Sequence, residues 1–388
     1  MKLLILKGLP EEHGYSQLAN ALQGGLREIG HTCDVLERPF LSANSPPLIQ
    51  ELIVILARGQ YEAVVSFGSW ISRPRNAVGE SIYDALSVKF LGWALDHPIY
   101  LSDLLAEGPT GRFTVYPNPN LQRFGSAVGV PGPGAVILPG AIPATPLARD
   151  HRDRRWPIVI AAVYRGPPTE RPWASLPGNH IRLVLDHITD CLLEDPEASL
   201  IDAWEGTAAR AGLSLPELKA LDPSLETLRL PLTFVRNSAR YDLVRTLVRS
   251  GLPIAVCGSG WREELGDAPN VTYLDSIPFA EIGRLYGQAR ICINLNAGNG
   301  ASERAVQAAL SGAAVVSDRN SALSELLGED QGVRTFHHGF PQGLIKILSD
   351  LLESGDAEAM GAFARGRVST SGLWRHRAEQ AVNLLGMG

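Results

Sequence analysis

Short apolar runs alternate with amphipathic stretches along both halves of the chain. In the first half the runs KLLIL, TCDVLE and EAVVSFG are separated by YSQLANALQGGLREIG and LIQELIVILARG, whose apolar residues recur at helical spacing. The second half repeats the alternation with PIVIAAVY, PIAVCG, VTYLD, RICINLN, AAVVSD and VRTFH. Continuous apolar strands that alternate with helices are typical of parallel sheets covered on both faces. The pattern predicts an α/β protein with two doubly wound, Rossmann-like domains.

The same pattern predicts where the domains begin and end. Residues 1–145 read as an N-terminal Rossmann-like domain, and the Pro-rich, charged stretch 141–156 reads as a linker. A C-terminal Rossmann-like domain follows over 157–370. Within it, residues 167–239 show helical segments and no clear strand, which predicts a helical insertion. The last segment, 371–388, contains a helix.

Composition narrows the classes of function. The 388 residues suit two or three domains, and 45% hydrophobic with 20% charged residues is typical of globular proteins. A net charge of -6 argues against a broad nucleic-acid surface. We expect no signal peptide and no transmembrane segment, because the apolar runs are too short. Four scattered cysteines predict free thiols and a cytoplasmic location, with peripheral membrane contact left open.

The stretch NAGNGASERAVQAALSGAAVVSD, residues 296–318, carries the main candidate site. A Gly- and Asn-rich loop follows a strand and enters a helix near Ser302, where backbone N–H groups and the helix dipole favour an anion. The candidate residues are Asn296, Gly300, Ser302, Glu303, Arg304 and Gln307. The alternative is structural: Ser302 is then an ordinary N-cap, and Glu303 and Arg304 lie on a solvated helix face.

A second glycine-rich turn, CGSGW, follows the strand PIAVCG. Gly258 and Gly260 would permit a ligand to approach the backbone closely. The turn lacks the third glycine and the following acidic residue of a dinucleotide fingerprint, which disfavours a nicotinamide-dependent oxidoreductase. A tight strand-to-helix turn is the alternative interpretation.

Candidate general bases lie in the first half. Asp96 and His97 come directly after an apolar strand in GWALDHPIY, and His13 lies in the polar loop KGLPEEHGYS. Asp and Pro also favour turns, so a structural role is open. The chain has no Walker A, G-x-S-x-G, H-E-x-x-H or D-x-D motif, which predicts a site without metal, where arginines and helix termini neutralise a diphosphate.

The run RAVQAALSGAAVVSD, residues 304–318, resembles a signature of CgeB-type (spore maturation protein) glycosyltransferases of GT-B fold. Four further segments occur where the family has similar ones: LDHP, LPGAIP, GWREELG after AVCGSG, and WRHRAEQAV. The resemblance therefore covers most of the chain outside about 167–235. It implies two Rossmann-like domains facing across a cleft, with segment 371–388 crossing back to the first. It also implies a nucleotide-sugar donor as co-substrate and no other cofactor.

Site residues follow from the resemblance position by position. Arg304 would contact the diphosphate, and Arg240 would be a second cation. Gln307 stands where related enzymes have a Glu that accepts ribose hydroxyls; an amide is a weaker acceptor, and Glu303 is a candidate to compensate.

The expected function is a metal-independent glycosyltransferase, with a glycan, a protein or a small molecule as acceptor. An inverting enzyme needs a base such as Asp96, His97 or His13, whereas a retaining enzyme does not, and the sequence is compatible with both. The alternative is a non-catalytic protein of the same fold that binds a nucleotide sugar or a partner.

Overall fold

A computed structural model describes most of the chain, in two compact units. The described residues are 1–8, 14–37, 46–68, 71–101, 105, 107–143, 150–167, 170–176, 178–195, 197–222, 225–297 and 301–386. The first unit comprises Met1–Gly140 and Trp374–Gly388, and the second unit comprises Ala141–Leu373. The observed division at Gly140 falls at the edge of the Pro-rich segment, and the C-terminal helix belongs to the first unit.

The first unit is built on a parallel sheet that has six strands among the described residues, in the order β2-β1-β3-β4-β5-β6. These strands are β1 (Lys2–Lys7), β2 (Thr32–Glu37), β3 (Ala63–Phe67), β4 (Lys89–Trp93), β5 (Arg112–Tyr116) and β6 (Gly134–Val136). Its helices are α1 (Gly14–Glu28), α2 (Pro46–Gly59), α3 (Ile82–Ala85), α4 (Pro119–Ala127) and, from the end of the chain, α15 (Trp374–Gly386). The apolar strands are buried on both faces, which is why they read as continuous hydrophobic runs.

An aromatic cluster fixes the C-terminal helix in the core of the first unit. The Trp374 ring lies 5.3 Å from that of Trp93 and 5.8 Å from that of Phe67, measured between centroids. Trp374 is 1% exposed. Burying an aromatic side chain of this size contributes roughly 3 kcal/mol, so the tryptophan anchors α15.

The second unit contains a parallel sheet with the order β12-β11-β10-β7-β8-β9 in the part of the chain described. The strands are β7 (Trp156–Ala161), β8 (Ile254–Cys257), β9 (Val271–Leu274), β10 (Ala289–Asn294), β11 (Ala314–Asp318) and β12 (Val333–Phe336). The chain runs from β7 outward to β8 on one side, and β10 pairs with β7 on the other. The strand order therefore reverses between β7 and β10, the position where open α/β sheets bind ligands outside the carboxyl ends of the strands.

Four helices connect β7 to β8 within the described residues. They are α5 (Asn179–Glu194), α6 (Leu200–Arg210), α7 (Leu215–Leu221) and α8 (Arg229–Arg249). The predicted end of the insertion, residue 239, falls inside α8, and Pro231 lies in the first turn of that helix, where proline is tolerated. Leu243 and Leu247 of α8 then pack on the sheet in the main core of the unit.

The remaining helices of the second unit complete the doubly wound arrangement. They are α9 (Trp261–Leu265), α10 (Ile282–Gly287), α11 (Glu303–Leu310), α12 (Ser321–Leu327), α13 (Gln342–Ser354) and α14 (Asp356–Ser371). The predicted α/β fold class is confirmed by the two parallel sheets. None of the helices in the described ranges is both long enough and apolar enough to span a membrane.

Candidate anion-binding site of the second unit

The site lies at the carboxyl end of β7, next to the strand-order reversal. Helix α11 begins after the β10 loop, and its buried residues Ala305, Val306 and Ala309 anchor it to the sheet. Arg304 lies on the half-buried side of the first turn, and its Nη1 donates to the carbonyl oxygen of Ala161 at 2.9 Å. That hydrogen bond places the guanidinium at the end of β7.

The positive charges of three other arginines act on Arg240. Arg240 is half-buried in the middle of α8. Burial, reinforced by the positive charges of Arg304, Arg236 and Arg165, lowers its pKa to about 10. Within the described ranges, Arg165, Arg240 and Arg304 form no ion pair. Placing Arg240 in a partly desolvated position beside other cations is unfavourable, and an anion bound there would relieve that cost.

A chain of hydrogen bonds supports the start of α11 from below. Ser302 Oγ accepts the Ala305 N–H at 3.2 Å and donates to Asn294 Oδ1 at 2.7 Å. Asn294 Nδ2 donates to Ser317 Oγ at 2.9 Å, and that hydroxyl donates to Asp318 Oδ1 at 3.1 Å. The four linked side chains are buried, so the network fixes the carboxyl ends of β10 and β11 and the helix start as one unit.

Asp318 closes this network as a buried carboxyl group. Its oxygens accept the backbone N–H of Asn296 at 3.1 Å. Burial raises the pKa of Asp318 to about 7, against the opposing effects of its hydrogen bonds and of the positive charge of Arg304. Asp318 and Ser317 form the polar end of a strand whose other residues are apolar.

The structure assigns structural roles to several predicted ligand contacts. The Ser302 hydroxyl is used fully as an N-cap and a donor to Asn294, so the N-cap interpretation holds for its side chain. The Asn296 N–H is used by Asp318. Glu303 is half-buried on the first turn of α11. Gly300 lies outside the described residues.

The Gln307 side chain is engaged by the protein's own backbone. Its side chain is buried, with 4% exposed. Oε1 accepts the Ile142 N–H at 2.9 Å, and Nε2 donates to the Ile142 carbonyl at 3.1 Å. The amide therefore pairs with the backbone of the segment that enters the second unit, and the role in ribose binding stays a prediction.

The glycines after β8 face protein backbone. Gly258 has φ +144°, and a Cβ there would lie 2.1 Å from the Ala162 carbonyl oxygen. Gly260 adopts a left-handed conformation with φ +87°, and its Cβ would lie 2.9 Å from the Tyr164 ring. Trp261 Nε1 donates to Ala162 O at 2.7 Å across the same turn. The tight-turn interpretation accounts for both glycines, so close approach of a ligand is not needed to explain them.

The candidate bases of the first unit have different environments. Asp96 follows β4, is half-buried, and accepts a hydrogen bond from the Tyr15 hydroxyl of α1. His97 is 1% exposed; its Nδ1 accepts the Ile99 N–H at 3.2 Å, and its ring packs against Phe124. This burial favours a capping role for His97 over a role as base. His13 lies outside the described residues.

The sequence-based prediction missed three residues of the site. Arg236 precedes Arg240 by four positions on one helix, a spacing that places two side chains on the same face. Arg165 lies four residues beyond the last residue of β7. Asp318 ends an apolar strand. Each signal was present locally, but only the fold brings residues 165, 236 and 304 to one place.

The fold has counterparts among solved protein structures. The chain has the GT-B fold, two Rossmann-like units, as in solved glycosyltransferase structures. It is similar over 100% of its length to sucrose-phosphate synthase from Thermosynechococcus elongatus, with 13% identity, 98% of that chain covered and a TM-score of 0.55. It is similar over 100% to HepE from Anabaena in complex with UDP, with 12% identity, 100% of that chain covered and a TM-score of 0.54.

Another similar structure is an alpha-glucosyltransferase in complex with UDP, with 10% identity, 99% of each chain covered and a TM-score of 0.55. At these identities the likeness shows the fold alone. Residues 238–383 match the family model described as glycosyl transferase-like. This segment, less than half of the chain, includes Arg240 and Arg304. None of the curated proteins matches the sequence.

Proposed function

We propose that the protein is a glycosyltransferase that uses a nucleoside-diphosphate sugar as donor and binds the diphosphate with Arg240 and Arg304. The observation that carries the proposal is the group of four arginines at the carboxyl end of β7, where Arg240 is desolvated beside three further cations. The glycosyl transferase-like match over residues 238–383 contains both principal arginines and supports this assignment.

The arginines supply what the leaving group requires. When the bond between the sugar and the diphosphate breaks, negative charge accumulates on the phosphate oxygens, and positioned cations stabilise it. Arg304 is already oriented by its hydrogen bond to Ala161. Guanidinium groups can each donate two parallel hydrogen bonds to a phosphate. Activity without a metal ion is part of the proposal and is checked by assaying in excess EDTA.

Binding of the diphosphate is tested directly with UDP and with inorganic pyrophosphate, since two of the similar structures are described as complexes with UDP. We expect both ligands to raise the unfolding temperature of the full chain, because ligands that bind only the folded state stabilise it. Arg240→Gln and Arg304→Gln should each weaken UDP binding by about 10- to 100-fold, the value of a hydrogen bond to a charged group.

The matched control is Arg284→Gln, which removes an exposed arginine of α10 whose partner is Glu281. It should leave the UDP shift unchanged. If Arg240→Gln and Arg304→Gln bind UDP as well as the unaltered chain does, the arginines do not form the donor site.

Catalysis is tested by measuring release of free nucleoside diphosphate from a panel of nucleotide sugars, with candidate acceptors present. Turnover that disappears in Arg304→Gln would support the transferase. We include in the same proposal that the protein is a CgeB-type enzyme and that its donor carries a hexose. The panel of nucleotide sugars tests which sugar the enzyme transfers.

A non-catalytic nucleotide-sugar-binding protein is the second candidate. It is favoured by Gln307, which stands where the resemblance expects a ribose-binding carboxylate and which pairs instead with Ile142. UDP binding without donor turnover, for every acceptor supplied, would select this alternative.

A further inference from the structure

A second polar pocket lies on the second unit, between the C-terminal half of α8 and the loop joining β12 to α13. Its volume is about 350 Å³, within the range of about 300–1,000 Å³ typical of small-ligand sites. It is lined by Asp242, Arg245, Thr246, Arg249, Gly339, Phe340, Pro341 and Gln342. Neither Arg240 nor Arg304 lines it, so it is distinct from the proposed donor site.

The loop wall of this pocket is held in place by the end of α5. His337 Nε2 and His338 Nε2 lie 3.0 Å from the carbonyl oxygens of Glu194 and Leu192. Because a carbonyl only accepts, both ring nitrogens donate. A Cβ at Gly339 would lie 2.6 Å from the Leu193 carbonyl oxygen. The close approach and the two hydrogen bonds preorganise the wall, which lowers the entropic cost of binding a ligand.

The helix wall carries more positive than negative charge. Arg245 and Arg249 are four residues apart on α8 and therefore share a face. Within the described part of the chain, neither arginine forms a hydrogen bond or an ion pair. Asp242 lines the same pocket, so two arginines and one aspartate leave a formal charge of +1. This charge is complementary to a single negative charge.

The rim carries an exposed aromatic ring. Phe340 is 64% exposed, and its edge-to-face contact with His337, at 4.8 Å between centroids, orients the ring. Sugar rings present an apolar C–H face that covers such a surface. Asp242, Thr246 and Gln342 offer acceptors and donors for hydroxyl groups. The carboxylate of Asp242 disfavours ligands with several negative charges, such as a nucleoside diphosphate.

We propose that this pocket binds a sugar residue carrying one carboxylate, a uronic acid. The guanidinium groups of Arg245 and Arg249 pair with the carboxylate, since their planar donors match its two oxygens. The sugar ring lies on Phe340, and its hydroxyls bond to Asp242 and Gln342. The binding does not depend on transferase activity; in a glycosyltransferase the pocket would take an acidic saccharide acceptor or product.

The test compares two ligands that differ only in the carboxylate, methyl β-D-glucuronide and methyl β-D-glucoside. Each is titrated into the full chain by NMR or calorimetry in the presence of saturating UDP, which keeps the proposed donor site occupied. We expect millimolar binding of the glucuronide and at least tenfold weaker binding of the glucoside. Arg249→Gln and Phe340→Ala should each weaken glucuronide binding at least fivefold, and both positions are exposed, so the fold is retained.

The matched control is Arg58→Gln, an exposed arginine at the end of α2 in the first unit, which should bind the glucuronide as the unaltered chain does. Equal affinity for glucoside and glucuronide, or unchanged binding in Arg249→Gln, would overturn the proposal. So would tighter binding of UMP or inorganic phosphate that Arg249→Gln abolishes. If UDP does not bind, only the proposed donor site is contradicted, because glucuronide binding is measured in its own titration.

Discussion

Gln307 and Ile142 form a reciprocal pair of hydrogen bonds, with the Ile142 N–H donating to Oε1 at 2.9 Å and Nε2 donating back to the Ile142 carbonyl at 3.1 Å. Position 307 lies at the start of the second turn of α11, and residue 142 lies in the segment that leads into the second unit. A side chain that carries both a donor and an acceptor is needed to satisfy both backbone groups. This requirement explains an amide where the family resemblance implies a carboxylate.

We therefore predict that Gln307→Glu destabilises the second unit. A carboxylate can still accept from the Ile142 N–H, but it places negative charge beside the Ile142 carbonyl and removes that group's donor. Losing the donor to the half-buried Ile142 carbonyl while placing a charge at the buried position 307 should cost about 1–3 kcal/mol. Urea denaturation gives the loss in free energy of unfolding, and the exposed Gln331→Glu is the control. Equal unfolding midpoints for Gln307→Glu and the unaltered chain would show that the pair contributes nothing.

The buried carboxyl group of Asp318 should make the free energy of unfolding depend on pH. Its pKa is raised to about 7 in the folded protein by burial, compared with about 4 in an unfolded chain. The folded state therefore binds more protons between these values, and the contribution of Asp318 to stability falls as the pH rises from about 4 to about 7. The slope is at most about 1.4 kcal/mol per pH unit, and the contribution is constant above pH 7.

The measurement is the difference in unfolding free energy between the unaltered chain and Asp318→Asn across pH 5 to 8. Asparagine still accepts the Asn296 N–H but does not titrate in this range. Taking the difference removes the effect of His338, whose pKa is lowered by burial and which destabilises the fold as the pH falls below about 6.5. The exposed Asp350→Asn serves as a control. A difference that does not change with pH would mean that Asp318 titrates outside this range.

The inner strands such as β3 and β8 could be predicted from the sequence because they are buried on both faces and are therefore continuous apolar runs. The start of α8 could not, since Pro231 lies in its first turn and the largely polar run 236–240 interrupts the apolar pattern before it resumes at Tyr241. The start of α11 could be predicted, whereas the hydrogen-bond partners of its first residues could not. The reason is physical: local pattern places Ser302 at a helix start, while Asn294 decides where its hydroxyl points.

We predict that alanine substitutions at Gly258 and Gly366 change the stability of the fold in opposite directions. At Gly258 an alanine would combine φ +144° with a Cβ 2.1 Å from the Ala162 carbonyl oxygen, so we expect Gly258→Ala to cost at least about 2–3 kcal/mol. Gly366 lies inside α14 with open space around it, so Gly366→Ala should stabilise the fold by about 0.5–1 kcal/mol. Thermal unfolding of both variants checks the prediction, and a stable Gly258→Ala would show that the turn can relax.

Of the two predicted bases that lie in the described part of the first unit, Asp96 is better placed than the buried His97, because it is half-buried after the end of β4 and is oriented by the Tyr15 hydroxyl. If it deprotonates the acceptor, Asp96→Asn should lower kcat by about 100- to 10,000-fold, the usual value of general base catalysis, and leave UDP affinity unchanged. Tyr15→Phe should have a smaller effect, since the carboxylate remains but loses its orienting partner.

Asp34→Asn is the matched control, because Asp34 accepts a hydrogen bond from Tyr61 at 2.7 Å in the same unit. Turnover and UDP affinity are measured on all three variants. An Asp96→Asn variant that retains full turnover would remove Asp96 from the chemistry and would favour a retaining reaction, which requires no such base.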